Sequence, residues 1–337
     1  MSLALRIRAL LADALLGAYI GAVVYRIVWG QILGGSPPES VTLAEWLGYA
    51  GCAGGFALVG QLARCTPGAW LLWRESMRPW QRTVAQHVVW ATVVLTIWTG
   101  WSVARVSPVE FFSAKGLESA ARLFGALLRP ELSILDAALL AMLQTIYIAL
   151  MATLLGLPPA LLLGFLAARN LMRAHPVTFA LYAVLRVWIN FVRSVEPLIW
   201  AVIFSVWVGI GPFAGMLAML LHTVAALAKL YSEQVESIDP GLLEAVESTG
   251  AHPIQVVFYG VVPQVLLPFL AFTIYRWDTN VRMATVIGLV GGGGIGTLLM
   301  QYQGLARWQE VGMIVLLIAA VVWVMDYLSA RIREMLS

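Results

Sequence analysis

The chain has 337 residues, 61% of them hydrophobic and 12% charged, and a formal net charge of +3. A soluble domain carries about a quarter charged residues, so this chain has too little polar surface to cover a water-facing globule. The small positive excess gives no reason to expect a nucleic-acid partner, and two cysteines, Cys52 and Cys65, make no disulfide framework.

Eight membrane spans are predicted, each judged against the roughly 20 apolar residues that cross a bilayer. The first two, Leu10–Leu33 and Glu45–Ala63, carry Asp13, Arg26 and many glycines. Asp13 breaks the apolar run and no small-residue cleavage site follows, so the N-terminus reads as retained rather than as a cleaved signal. Tyr49 to Cys52 looks slightly like a lipoprotein cleavage site but lies too deep in the chain. Val88–Val106 is a Trp-rich span. In Ser107–Leu135, Leu117, Ala121, Phe124 and Leu128 recur at helical spacing among charges, the pattern of a helix lying on a membrane surface.

Ala137–Ala168 is long enough to span and to project beyond the bilayer. Leu181–Val192 reads as a short amphipathic elbow on the cytoplasmic side. Pro197–Val208 and Phe213–Leu230 are spans separated by Gly209–Pro212, and the last two are Val262–Tyr275, open to extension beyond Tyr275, and Val311–Tyr327. With both termini in the cytoplasm, thirteen Lys and Arg fall inside and seven outside, Arg276 and Arg282 among the latter. That bias satisfies the positive-inside rule. The Arg105–Arg129 cluster opposes it, and its pull is weak if the segment lies flat and pairs with Glu110, Glu118 and Glu131. No inverted repeat of the kind that builds ion-coupled carriers is visible, so the chain reads as one half of a symmetric pore.

The polar excursion at 233–263 is structured. Asp239-Pro240 is a helix start, with Pro at the first helical position. Leu242, Leu243 and Val246 form an apolar side, while Glu244, Glu247 and Ser248 face elsewhere. Gly250 is placed to end that helix, and Pro253 to start the next, which runs to Pro263. Two short helices meeting at a glycine predict a compact cytoplasmic knob.

Glu244-Ala245-Val246, three residues, Gly250, nine residues and Gly260-Val261-Val262-Pro263 resemble the EAA loop of ABC importer permeases. The family pattern is Glu-Ala-Ala, three residues, Gly, nine residues, Ile-x-Leu-Pro. Val246 replaces the second Ala, Gly260 the Ile, where it could loosen the second helix, and Val262 the Leu. The resemblance implies an all-α, polytopic transmembrane bundle of the type I importer permease fold, with two extra N-terminal hydrophobic segments. It implies that Glu244, Ala245, Val246, Ser248, Gly250, Ala251 and Pro263 couple to a separate ATPase, which would hold ATP and Mg, with no cofactor on this chain. The implied partners are a second permease copy, two ATPase subunits, an external solute-binding protein and lipid, and the implied location is the inner membrane. On this reading residues 1–85 are an N-terminal extension, 86–135 the first core span and surface helix, and 136–337 the permease core.

The flanks are similar to phosphonate-class permeases, whose relatives import phosphonates, phosphite or hypophosphite: Leu221-His222-Thr223, Tyr275-Arg276-Trp277-Asp278, Asn280-Val281-Arg282 and Gly288 to Gly296. Asp278 stands where the family usually has Glu. Permeases for methionine or polar amino acids are the alternative. An oxyanion in a low-dielectric path needs positive charge, which Arg276 and Arg282 could offer at the outer end of a span, although Arg276 could instead pair with Asp278 or with headgroups. Glu196, at a helix start, is either part of the path or a carboxylate near the helix dipole, and His222 is a possible pore lining. Gly291, Gly292, Gly293, Gly294 and Gly296 fit G-x-G-x-x-G, but no strand precedes them and no Lys-Ser or Lys-Thr follows, which excludes a P-loop. They read as close helix packing or as a bendable element beside the pore. No catalytic constellation is present, and His87, His175, His222 and His252 lack metal-ligand spacing.

Overall fold

The structure, a computed structural model, describes residues 3–27, 43–63, 66–68, 70, 78–104, 107–173 and 175–336. The predicted features at Leu33, Arg64, Cys65, Arg74, Arg105 and Val106 lie outside the described residues. Among the described residues every regular element is helical, and six helices are long and apolar enough to cross a membrane, with Trp46–Gly60 and Pro197–Val208 as shorter apolar helices. The chain forms two compact units, Met1–Gly116 and Leu117–Ser337.

The first unit contains α1 (Leu3–Ile27), α2 (Leu43–Ala63) and α3 (Pro79–Val103). Asp13, fully buried in α1, accepts hydrogen bonds from Thr66 Oγ1 at 2.8 Å and from the Gly68 amide at 2.7 Å. Those donors are what let an acid sit in an apolar helix. Gly17 faces α2 so closely that a Cβ would stand 2.6 Å from that of Phe56, the close approach that small residues permit between membrane helices.

The second unit contains α4 (Ala114–Leu127), α5 (Leu135–Leu166), α6 (Pro176–Ser194), α7 (Pro197–Val208), α8 (Pro212–Glu236), α9 (Pro240–Glu247), α10 (Val262–Gly288), α11 (Ile295–Gly304) and α12 (Trp308–Leu336). Leu117 and Phe124 of α4, and Leu128 beyond it, are exposed, as a surface helix requires, and Arg122–Glu118 at 4.0 Å is its ion pair. Helix α8 is the centre of the bundle, packed against α5, α6, α7 and α10. Its Ala225, Leu227 and Ala228 are fully buried, because small side chains let four neighbours approach. One core joins Met142, Ala149, Met219, Val281, Ile287 and Ile314. A second joins Leu227, Tyr231, Val265 and Phe269, with the Tyr231 and Phe269 rings stacked at 4.0 Å.

The predicted span from Val88 falls in α3, which is not among the six helices long and apolar enough to cross a membrane. The elbow Leu181–Val192 is the middle of a 19-residue helix, Pro176–Ser194, which is among them. The extension of Val262–Tyr275 runs through Arg276, Asp278 and Arg282 to Gly288, where side-chain partners described below stabilise polar groups that a hydropathy reading counts as a boundary.

Candidate functional site: coupling knob and charged layer

The knob follows from its caps. Asp239 Oδ1 accepts from the Gly241 amide at 2.9 Å, satisfying a donor of the first turn of α9 as N-cap carboxylates do. The Gly250 amide donates to Glu247 O at 3.0 Å and its φ is 78°, the left-handed geometry that ends a helix at glycine. The chain restarts at Pro253, passes through one π turn at Val257–Val261 and enters α10. Glu244, Ala245, Glu247 and Ser248 are exposed while Leu243 and Val246 are half-buried. Ala251 is half-buried just past the turn, and Pro263 is exposed at the start of α10. Gly260 lies buried in the π turn, where a Cβ would meet Leu243 Cδ1 at 3.3 Å. Lacking a side chain, it seats α9 on the following helix.

Gln264 ties the knob to α10, accepting from the Asp239 amide at 3.2 Å and donating to Gly260 O at 2.6 Å. Glu236, at the end of α8, accepts from Arg186 Nη2 of α6 at 2.5 Å and from the Arg169 amide at 2.7 Å. The Arg186–Glu236 joint was not legible, because its members are 50 residues apart.

The glycine run is a close-packed turn against α5. Gly291, Gly293 and Gly294 have φ of 88°, 81° and 73°, which side chains strongly disfavour. The Gly294 amide donates to Gln144 Oε1 at 3.2 Å and the Ile295 amide to Thr145 Oγ1 at 2.8 Å. A Cβ on Gly292 or Gly296 would collide with Ile287 or with Thr285 O.

Between the knob and the glycine turn lies a polar layer centred on α10. Buried Asn280 donates to Thr153 Oγ1 of α5 and to Thr223 Oγ1 of α8, each at 2.9 Å. Asp278, 3% exposed, pairs with Arg282 at 2.6 Å, and Arg282 reaches Asp326 of α12 at 3.1 Å. Arg333 lies over the Tyr275 ring at 5.8 Å and within electrostatic range of Asp278. On the other side of α10, Arg276 Nε and His222 Nδ1 are buried without a hydrogen-bond partner among the described residues.

This placement corrects the sequence reading of the arginines. Arg276 and Arg282 do not follow a span at its outer end; they lie within α10. Arg276 does not pair with Asp278 either, because two residues along a helix point to nearly opposite faces. Asp278 takes Arg282, four residues on. That i, i+4 spacing was the available signal, whereas Asp326 and Arg333 have no local signature linking them to α10. Among the described residues no group of three or more His, Cys, Asp or Glu side chains is gathered for a metal.

A multi-pass helical bundle with a capped polar knob between its last spans and a charged layer inside it is the architecture of a membrane permease. Residues 160–337 match the family described as "Binding-protein-dependent transport system inner membrane component", and the chain belongs to that family. It is 36% identical over 256 residues to the phosphite transport system permease protein PtxC of Stutzerimonas stutzeri, covering 76% of this chain and 90% of the relative. It is 29% identical over 199 residues to the "Probable D-methionine transport system permease protein MetI" of Vibrio cholerae, covering 56% and 86%. The crystal structure of an amino acid ABC transporter with histidines has a TM-score of 0.51 at 18% identity, covering 60% of this chain and 95% of that one. The fold is that of ABC importer permeases.

Proposed function

We propose that the chain forms the translocation path of an ATP-driven importer for a small phosphorus oxyanion: a phosphonate, phosphite or hypophosphite. The observation that carries this reading is the 36% identity to a phosphite permease over 90% of that protein's length. The methionine reading rests on lower identity over a shorter stretch and is the second choice. The working assembly is two copies of this chain, two ATPase subunits holding ATP and Mg, and an external solute-binding protein. Residues 136–337 are the core, with both termini cytoplasmic. Residues 86–135 are the first core span and a surface helix, and 1–85 are an N-terminal extension.

Coupling runs through the knob, whose exposed Glu244, Ala245 and Ser248 dock into the ATPase. Gly250→Val tests this. No atom lies within 4 Å of a Cβ at Gly250, so the substitution creates no clash and acts only on the backbone, by about 1–2 kcal/mol. The variant should insert at normal level yet fail to co-purify with the ATPase. Unchanged oxyanion-stimulated ATP hydrolysis in Gly250→Val would remove the knob from the mechanism. Uptake of labelled phosphite, phosphate and methylphosphonate by proteoliposomes holding the whole complex tests the substrate class; uptake of methionine alone would reject it.

A further inference from the structure

Helix α10 has two outward faces of different chemistry. Toward the knob its exposed side chains are Leu266, Leu267 and Leu270, all apolar, as contact with lipid requires. Farther along, Tyr275, Thr279, Arg282 and Val286 recur at helical spacing; Thr279 is half-buried and the other three are exposed. All of them lie inside the span Ile254–Gly288. Opposite, in the span Trp308–Met335, stands Asp326. Its side chain and that of Arg282 are 45% and 43% exposed, whereas that of Asp278, the other partner of Arg282, is 4% exposed. The inner bond, from Arg282 Nη2 to Asp278, is 2.6 Å long; the outer ones, from Nη1 to the two Asp326 oxygens, are 3.1 and 3.4 Å. An ion pair so exposed at membrane depth is costly against hydrocarbon, and the middle of an interface between protein copies is depleted in charged side chains. Water is the surrounding that tolerates it, and inside a permease that water belongs to the transport path.

We infer that the face of α10 bearing Thr279 and Arg282, with Asp326 opposite, lines the transport path, and that the phosphorus oxyanion replaces Asp326 on Arg282 Nη1 as it passes. The inference rests on the function proposed above. Asp278 keeps Nη2 throughout, so the guanidinium holds its position while its outer edge changes partners. One anion takes the place of another at one cation, and the displaced carboxylate turns to water. An oxyanion suits that edge because guanidinium N–H groups bond phosphorus oxyanions as they bond carboxylates. Asp326 competes for the same donor and so limits how long the solute stays, since passage needs release as well as entry.

The test uses proteoliposomes with the complete complex and labelled phosphite, phosphate and methylphosphonate. Thr279→Cys probes the surface, because the threonine hydroxyl bonds within its own helix, to Tyr275 O at 2.9 Å. A charged, membrane-impermeant methanethiosulfonate should label Thr279→Cys above the parent chain, whose own cysteines are Cys52 and Cys65. Leu270→Cys should stay at the parent level, and whichever anion the parent imports should slow the labelling at 279. Asp326→Asn removes the competitor and should lower the KM for that anion about threefold, the worth of an exposed ion pair, with the mass of the complex unchanged. No labelling of Thr279→Cys above the parent overturns the inference and leaves the importer reading intact; oxidative cross-linking of two copies at 279 would then place this face between copies, and its absence in lipid. An unchanged or raised KM in Asp326→Asn overturns the exchange of partners. Import of none of the three anions by the parent removes the importer reading, and the exchange with it.

Discussion

The two faces of α10 carry similar residues to different ends. Toward α12, Arg282 sits between Asp278 and Asp326 in a linked pair of salt bridges. On the opposite face the Arg276 Nε donor is buried without a hydrogen-bond partner among the described residues, as Asp278 Oδ1 and Arg333 Nη1 also are. Linked ion pairs inside a membrane bundle hold helices together. Polar residues in a span are informative only once their partners are counted.

The contrast can be broken by substitution, most severely on the α12 face. Arg282→Gln leaves Asp278, 3% exposed, without its ion-pair partner, which costs roughly 3 kcal/mol and lowers the midpoint of thermal unfolding in detergent by on the order of 5–10 °C. Asp278→Asn with Arg282→Gln should recover much of that loss; a double variant as unstable as the single one would show that the pair is not what Arg282 serves. A smaller effect belongs to Asn280→Ala. It removes two hydrogen bonds between helices, worth about 1 kcal/mol together, because the threonines keep their other bonds. A loss above 3 kcal/mol would mean that Asn280 organises the layer rather than crosslinking it. Smallest is Glu196→Gln, at an exposed residue before α7: stability should stay within about 0.5 kcal/mol, and a larger fall in the thermal midpoint would show that this carboxylate supports the fold.

Local chemistry made part of this legible. Asp239-Pro240, Gly250 and Pro253 lie next to the bonds they determine, so the limits of the knob were legible in the sequence, whereas the exposure of Leu242 and the π turn at Val257–Val261 were not. The glycine run read as close helix packing or a bendable element; that it is a turn rests on the positive φ of Gly291, Gly293 and Gly294. The α10 arginines were misplaced because hydropathy averages over a window and takes a charge for an exit from the membrane. Asp278 and Asn280 are held inside by Arg282, Thr153 and Thr223, partners that only the folded arrangement brings together.

The bonds from α5 to the second half of the chain also set a schedule for synthesis. Thr145 meets Ile295 across 150 residues, and Thr153 meets Asn280 across 127. At roughly 5–20 residues per second, α5 waits on the order of ten seconds for its final neighbours. During that wait its polar side chains need partners of their own, and they have them: Thr145 Oγ1 donates to Ala141 O at 2.9 Å and Thr153 Oγ1 to Ala149 O at 2.8 Å. A threonine can satisfy itself within one turn of its helix and still accept a later donor, whereas an asparagine in the same place would enter the bilayer with two N–H groups unmet. In the Thr153–Asn280 pair the hydroxyl is on α5, made early, and the amide on α10, made late.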